Sequence, residues 1–377
     1  MKKYKDPFYH FQPLLEKYPD AKYYMAIGER SNGKTFSALE IGLEDYFSKG
    51  NKMAYIRRYD EDFKGKRGKE LFGNFINNEL RGNIIEKMSK GKWNAVIYYS
   101  SCWYMAKINP DDPKDRIMDN SPFCYGFALS EMEHDKSSSY PEVTNIAFDE
   151  FITRRFYLVD EFVTFTNVLS TIIRNRDNVR IFMCGNTVNQ YCIYFKEMGL
   201  THIKSMKKGE IEVYNYGTSG LQVVVEFSDF KEKSKKSDVY FAFNNPKLEM
   251  IKSGAWEIAI YPHLTKEMKY KDENIMYKFY ISFEGDLMEC HIVSLESQSF
   301  IFIHQKTTPL REDNVNLVYS TEYDSRPNYR RRINRPVSKI ENTIFQMFRN
   351  EKVFYQSNDI GEVIRNYLNW CVSFKQT

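Results

Sequence analysis

Eight consecutive residues, Gly28-Glu29-Arg30-Ser31-Asn32-Gly33-Lys34-Thr35, fit the spacing G-x-x-x-x-G-K-[ST]. They lie between an apolar run, Tyr23–Gly28, and a helical stretch, Lys34–Phe47. In that setting glycines let backbone N–H groups close around phosphate oxygens, and a helix N-terminus adds its positive dipole end. Lys34 would neutralise the β and γ phosphates and Thr35 would ligate Mg2+. A chance match in a chain this long has odds of roughly one per cent before that placement is demanded, so the loop reads as an ATP site.

A second segment, Asn145-Ile-Ala-Phe-Asp149-Glu150, is an apolar strand ending in two carboxylates, the form of a Walker B segment. Side chains alternate along a strand, so Asp149 is expected in the Mg2+ shell and Glu150 on the γ-phosphate side, orienting the attacking water. An adjacent Asp-Glu pair marks the branch of these enzymes that drives motors, translocases and helicases. Charge developing on the transferred phosphoryl needs a cation. Arg30 in the loop and Arg174 at the end of the helix Asp160–Ile173 are the candidates, and a basic helix C-terminus is the plain alternative for Arg174 and Arg176. Asn186, after the strand Val179–Cys184, is placed to sense the γ-phosphate. Arg57 and Arg58 end the strand Met53–Arg58 and could meet DNA, nucleotide or an acidic neighbour.

The elements that must position these groups alternate from Tyr23 onward: short β-rich runs, including Phe127–Ser130 and Asn145–Asp149, with helices between them. This predicts a parallel α/β sheet with helices on both faces. A charged stretch from Asp60 to Asn120, with one β piece at Trp93–Ser100, reads as an insertion. Ser228–Ser237 is lysine-rich and polar, as a linker would be. Beyond it, runs at Asn274–Phe283, Leu287–Leu295 and Ser299–His304 predict strands, and Ile340–Arg349 and Ile360–Trp370 predict helices. The expected division is an ATPase domain over 1–227, a linker over 228–255 and an α+β domain over 256–377.

The chain has 377 residues, 54 Lys and Arg against 50 Asp and Glu, and a net charge of +4, which excludes a histone-like basic binder. Six scattered cysteines, none spaced C-x-x-C, indicate neither a zinc site nor a disulfide framework and fit a reducing cytoplasm. Met1–Pro7 is charged, and no apolar run reaches about 18 residues, so neither secretion nor membrane spanning is expected. The six histidines are dispersed in sequence and invite no metal role. An aromatic share of 16% suggests that some of that surface meets a partner.

Gly28-x-Arg30-x-x-Gly33-Lys34-Thr35, Tyr55-Ile-Arg57-Arg58-Tyr59, and Tyr140-Pro-x-Val143-x-x-Ile146-x-Phe148-Asp149-Glu150-Phe151-Ile152 recur in one order. With Ile173-Arg174-Asn-Arg176-x-x-Val179-Arg180, Asn186 and Tyr194-Phe195, this resembles the double-stranded DNA packaging ATPases of small short-tailed phages. The resemblance covers most of the first 200 residues. It implies an ASCE, RecA-like P-loop fold and a homo-oligomeric ring, of five subunits by the family pattern. By the same resemblance the ring assembles on the portal vertex of an empty procapsid in the host cytoplasm and drives viral DNA inward, and Arg174 acts in trans on the neighbour's ATP. It further implies a second domain like a degenerate RNase H-type nuclease, and it leaves the use of a packaging RNA open. Acids are sparse in Tyr277–Leu295 (Glu284, Asp286, Glu289) and form no D-x-D-like pair, which argues against metal-dependent cleavage. Candidate phosphate contacts are Arg326 with Tyr329–Arg335, and the lysines at 204, 207, 208, 231, 233, 235 and 236. The alternatives are a terminase with an active nuclease, another P-loop ATPase, or a scaffold that holds ATP without hydrolysing it.

Overall fold

The computed structural model describes residues 8–131, 139–217, 220–229, 256–296 and 298–372. They fall into two compact units, one within Met1–Arg154 and Asp160–Trp256, the other within Arg155–Val159 and Glu257–Thr377. Beyond Asp229 the expected linker lies outside the described residues.

The first unit is built on a ten-stranded mixed sheet. Its strands in chain order are β1 (Tyr23–Gly28), β2 (Lys52–Arg57), β3 (Ala95–Tyr99), β4 (Cys102–Ile108), β5 (Arg116–Met118), β6 (Cys124–Ala128), β7 (Val143–Asp149), β8 (Arg180–Asn186), β9 (Ile211–Tyr216) and β10 (Leu221–Phe227). They lie in the order β3-β4-β6-β2-β7-β8-β1-β10-β9, with β5 on β4. β6, β2, β7, β8, β1 and β10 are mutually parallel. The apolar runs of β1 and β7 are buried almost throughout, as strands covered on both faces must be.

Apart from α1, which precedes β1, the helices lie between these strands in the chain: α1 (Gln12–Lys17), α2 (Lys34–Lys49), α3 (Lys66–Glu70), α4 (Gly73–Ile76), α5 (Ile84–Met88), α6 (Glu161–Ile173) and α7 (Ile193–Glu197). α2 starts at Gly33 with φ 95° and stops at Gly50 with φ 75°, left-handed positions that favour glycine.

The stretch from Asp60 to Asn120 is not set apart from the sheet. Its strand β4 pairs antiparallel with β6, and β3 and β5 extend the edge. Its aromatic side chains form a box: Trp103 meets Phe63, Phe72 and Tyr55, and its Nε1 donates to Gly68 O at 2.7 Å.

The second unit carries β11 (Ile275–Phe283), β12 (Asp286–Ser294), β13 (Ser299–Gln305), β14 (Val318–Ser320), β15 (Tyr329–Arg330) and β16 (Val353–Tyr355), with α8 (Lys339–Arg349) and α9 (Asn358–Val372). The order is β15-β14-β11-β12-β13-β16. β11, β12 and β13 form an antiparallel meander, and β14, β15 and β16 add parallel pairings at its sides. Strand pairing also gathers residues that are far apart in sequence. Glu289 sits opposite His304, and His291 Nε2 lies 2.8 Å from Glu289 Oε1, so these three side chains form the one cluster of three His, Cys, Asp or Glu groups among the described residues close enough to share a metal ion. Lys278 and Lys306 approach Glu289 at 3.5 and 3.6 Å and already neutralise it.

Gly185 in β8 has no room for a side chain. A Cβ there would stand 2.7 Å from Ile152 Cδ1 and 2.8 Å from Phe151 Cε1. Phe151 is fully buried, so the segment just past Glu150 cannot yield cheaply. Gly185→Ala is expected to cost about 1–3 kcal/mol, read as a lower midpoint in denaturant unfolding with unchanged slope. A midpoint equal to that of the unsubstituted chain would show that the segment is looser than its packing implies.

Candidate nucleotide site

β1, β7 and β8 are in register, so their C-terminal ends share one edge: Gly28 pairs with Asn186 and Asp149 with Cys184. The loop Gly28–Gly33 rises from that edge and α2 begins beneath it. Lys34 is buried, and its Nζ donates to Glu29 O at 2.6 Å and Asn32 Oδ1 at 3.0 Å, with Asn186 Oδ1 at 3.4 Å. Thr35 Oγ1 donates to Asp149 Oδ1 at 2.7 Å. A hydroxyl and a carboxylate held together are hard oxygen donors of the kind Mg2+ takes, so the residues fit that ion.

The structure thus brings together Gly28, Glu29, Asn32, Gly33, Lys34, Thr35, Asp149 and Asn186. Arg30 and Ser31 are exposed on the loop, and Ser31 has φ 59°.

Glu150 departs from the expected geometry. The strand ends at Asp149, and Glu150 takes φ 55°, so a left-handed backbone rather than strand alternation sets its direction. Arg57 and Arg58, left open by the sequence, both meet acids. Arg57 donates through Nη1 to Asp149 Oδ2 at 2.9 Å and through Nη2 to Glu150 Oε2 at 2.8 Å. Arg58 Nε donates to Glu161 Oε2 at 2.8 Å.

Arg174 is exposed at the C-terminal end of α6 with φ 51°. Its neighbour Arg176 donates to Tyr140 O, Pro141 O and Val143 O, at the start of β7. Asp149 ends that strand, so Arg174 stands at the opposite edge of the sheet from the loop Gly28–Gly33 of its own chain.

Several contributors have no role assigned by the sequence pattern. Tyr55 OH donates to Asp149 Oδ2 at 2.9 Å, backed by the aromatic box around Trp103. Tyr9 N donates to Asn32 O at 2.8 Å and Phe11 N to Ser37 Oγ at 2.8 Å, bracing the loop from the N-terminal side. Lys208, grouped with the nucleic-acid lysines, pairs instead with Glu29 at 2.9 Å. The basic run near Tyr329 is also engaged internally: Arg326 pairs with Asp324, Arg330 with Glu341, and Arg331 and Arg332 lie over Trp370.

Residues 115–244 match the family model of the Podovirus DNA encapsidation protein. That span holds Asp149, Glu150, Arg174 and Asn186. The DNA packaging protein of Bacillus phage B103 is 25% identical over 212 residues, 55% of this chain and 57% of the relative. That of Bacillus phage phi29 is 25% identical over 197 residues, 51% of each. The resemblance to the phage packaging proteins is borne out. The chain spans only a little over half the length of these curated relatives. In fold it is similar to the Phi-28 gp11 DNA packaging motor (TM-score 0.52, 20% identity, 99% of each chain covered). It is also similar to the phi29 viral genome packaging motor assembly (TM-score 0.52, 19% identity, 96% of this chain and 97% of that one).

Burial lowers the Lys34 ammonium to about 8. Anionic phosphates beside it would raise that value, so nucleotide binding should draw in a proton between the free and bound values. Titration calorimetry at pH 9 in two buffers of different ionisation enthalpy should show proton uptake on ATP binding, with affinity falling as pH rises above 8. No uptake at pH 9 would place Lys34 away from the phosphates. In the free protein the sign for stability is the reverse of a stabilising ion pair. The buried ammonium costs stability in full below pH 8 and progressively less from there toward 10.5.

Proposed function

We propose that this chain is the ATP-hydrolysing subunit of a homo-oligomeric ring, five-membered by the family pattern, that drives double-stranded viral DNA into a procapsid. The observation that carries the reading is the convergence of Lys34, Thr35, Asp149 and Asn186 on one sheet edge, with Glu150 next in line. The likeness to proteins described as DNA packaging and DNA encapsidation proteins supports the DNA substrate. The portal vertex as its place of work, within the host cytoplasm, is part of the same proposal. No described helix is long and apolar enough to cross a membrane.

In the proposed cycle, phosphate oxygens replace Glu29 O and the Asn32 amide oxygen as partners of Lys34. Mg2+, held by Thr35 and Asp149, would supply neutralising charge at the phosphates. Asn186 reaches Lys34 from the end of β8 and is placed to register loss of the γ-phosphate. The Glu150 carboxylate, paired here with Arg57, must be released to align water. Arg30 on the loop is the cation available in cis. Arg174, at the far edge of the sheet by the placement of its neighbour Arg176, is the proposed cation for a neighbouring subunit's ATP, a role that requires a ring.

The second unit fits a nuclease-like sheet without nuclease chemistry. A meander flanked by parallel strands supports the RNase H-type reading, and there Ser282 pairs with Ser320 beside a cavity of about 290 Å3. Of the two acids lining that cavity, Glu322 and Asp324, the latter is taken by Arg326. A docking or DNA-gripping role is therefore favoured over cleavage, and a packaging RNA stays an untried partner.

Steady-state ATP hydrolysis at rising protein concentration, with and without double-stranded DNA, tests the reading. Turnover should grow with concentration and with DNA. Arg174→Ala and Glu150→Gln should each lose it by about 10²–10³-fold, and a mixture of the two should recover part of it. Turnover independent of concentration and intact in Arg174→Ala would mean a self-contained ATPase and remove the ring.

A further inference from the structure

We infer that Arg58 is a positioning residue for hydrolysis: it fixes the backbone turn that carries Glu150, and Glu161 and Tyr194 fix Arg58. This rests on the ATPase reading above and deepens it.

Arg58 is 6% exposed and follows the last residue of β2. Its guanidinium is committed in three directions. Nη1 donates to Glu150 O at 3.2 Å and Nη2 to Phe151 O at 2.8 Å, while Nε donates to Glu161 Oε1 and Oε2 at 3.0 and 2.8 Å. Glu161, whose side chain is fully buried at the start of α6, also accepts from Tyr194 OH at 2.8 Å. The planar fork therefore ties two successive carbonyls to the N-terminus of a 13-residue helix.

Those carbonyls belong to the strained part of the site. A non-glycine residue in the left-handed region is strained and persists only where its surroundings over-determine it. Glu150 is such a residue. Arg57 holds its carboxylate and Arg58 its main chain, so the neighbouring arginines have separate roles, one governing when the carboxylate is free and the other where it can point. A buried ion pair adds little net stability over an apolar pair of the same volume, so its gain here is placement of the turn.

The test is made on the full chain. Arg58→Lys keeps the charge but cannot span two carbonyls and a carboxylate. It should lower kcat by roughly 10–100-fold while the ATP KM, nucleotide affinity and melting temperature stay near those of the unsubstituted chain. Arg58→Met with Glu161→Leu and Tyr194→Phe removes every buried charge and hydroxyl of the strut. It should show the same loss of kcat with the melt retained, which covers the case in which lysine alone unfolds the unit. An unsubstituted chain that hydrolyses ATP alongside variants of equal kcat overturns this inference alone. A parallel loss of nucleotide affinity and melting temperature also overturns it, since that is the mark of a merely structural strut. An unsubstituted chain without turnover, with DNA or without, overturns the ATPase reading and this inference with it.

Discussion

Everything at the candidate site depends on the register of four parallel strands. Phe148 pairs with Ile56 on one side and Met183 on the other, and Met183 pairs with Met25. The residues one step further, Arg57, Asp149, Cys184 and Ala26, therefore lie level, and Gly28 and Asn186 stand two beyond. Because these strands are buried on both faces, a slip of one residue would drive charged groups into the sheet and apolar ones out. Packing alone thus delivers a lysine, a threonine, two carboxylates, two arginines and an asparagine to one edge.

The helix after that edge gives the site its polarity. α6 begins at Glu161, tied through Arg58 to the turn of Glu150, and ends at Arg174, across the sheet. A helix of 13 residues spans roughly 20 Å. One rigid element therefore joins the turn that would orient water in one subunit to the arginine that would complete the next subunit's site. A shift at Glu150 could not leave the start of α6 untouched, because Arg58 bonds to both.

How much of this is legible in the sequence follows the range of the interactions involved. The phosphate loop, the strand ending at Asp149 and the helices on either side are local patterns, and the structure places them within a residue or two of the reading. Strands β14, β15 and β16 are two or three residues long and leave no periodic signal. β10 is of ordinary length but gains its place through β1, far earlier in the chain, and the stretch around Trp103, which reads as an insertion, joins the sheet through β6 and backs Tyr55 and, through it, Asp149. Arg57 has one partner close by in Asp62, but Asp149, Glu150 and Glu161, which Arg57 and Arg58 also meet, lie 92 to 103 residues on, and no spacing rule predicts them. His291 and His304 look unrelated until strand pairing sets their rings 5.0 Å apart.

The direction of Glu150 escapes the sequence for a more instructive reason. Alternation along a strand is a rule about residues inside the strand, and Glu150, the residue proposed to orient water, is the first one outside it. There the chain takes a conformation that its own sequence disfavours, and long-range contacts supply what local preference withholds: Arg58 on the carbonyls, Phe151 and Ile152 against Gly185, Arg57 on the carboxylate. Local rules locate a site of this kind and then fail at the residue where its geometry is set, because that geometry is imposed by tertiary packing against local preference. Strain at Glu150 and the desolvated charges of Arg58 and Glu161 are then two parts of one arrangement. The ion pair is kept in the core at little gain in stability because its guanidinium fork holds both carbonyls of the turn at once, which an apolar pair of the same volume could not do.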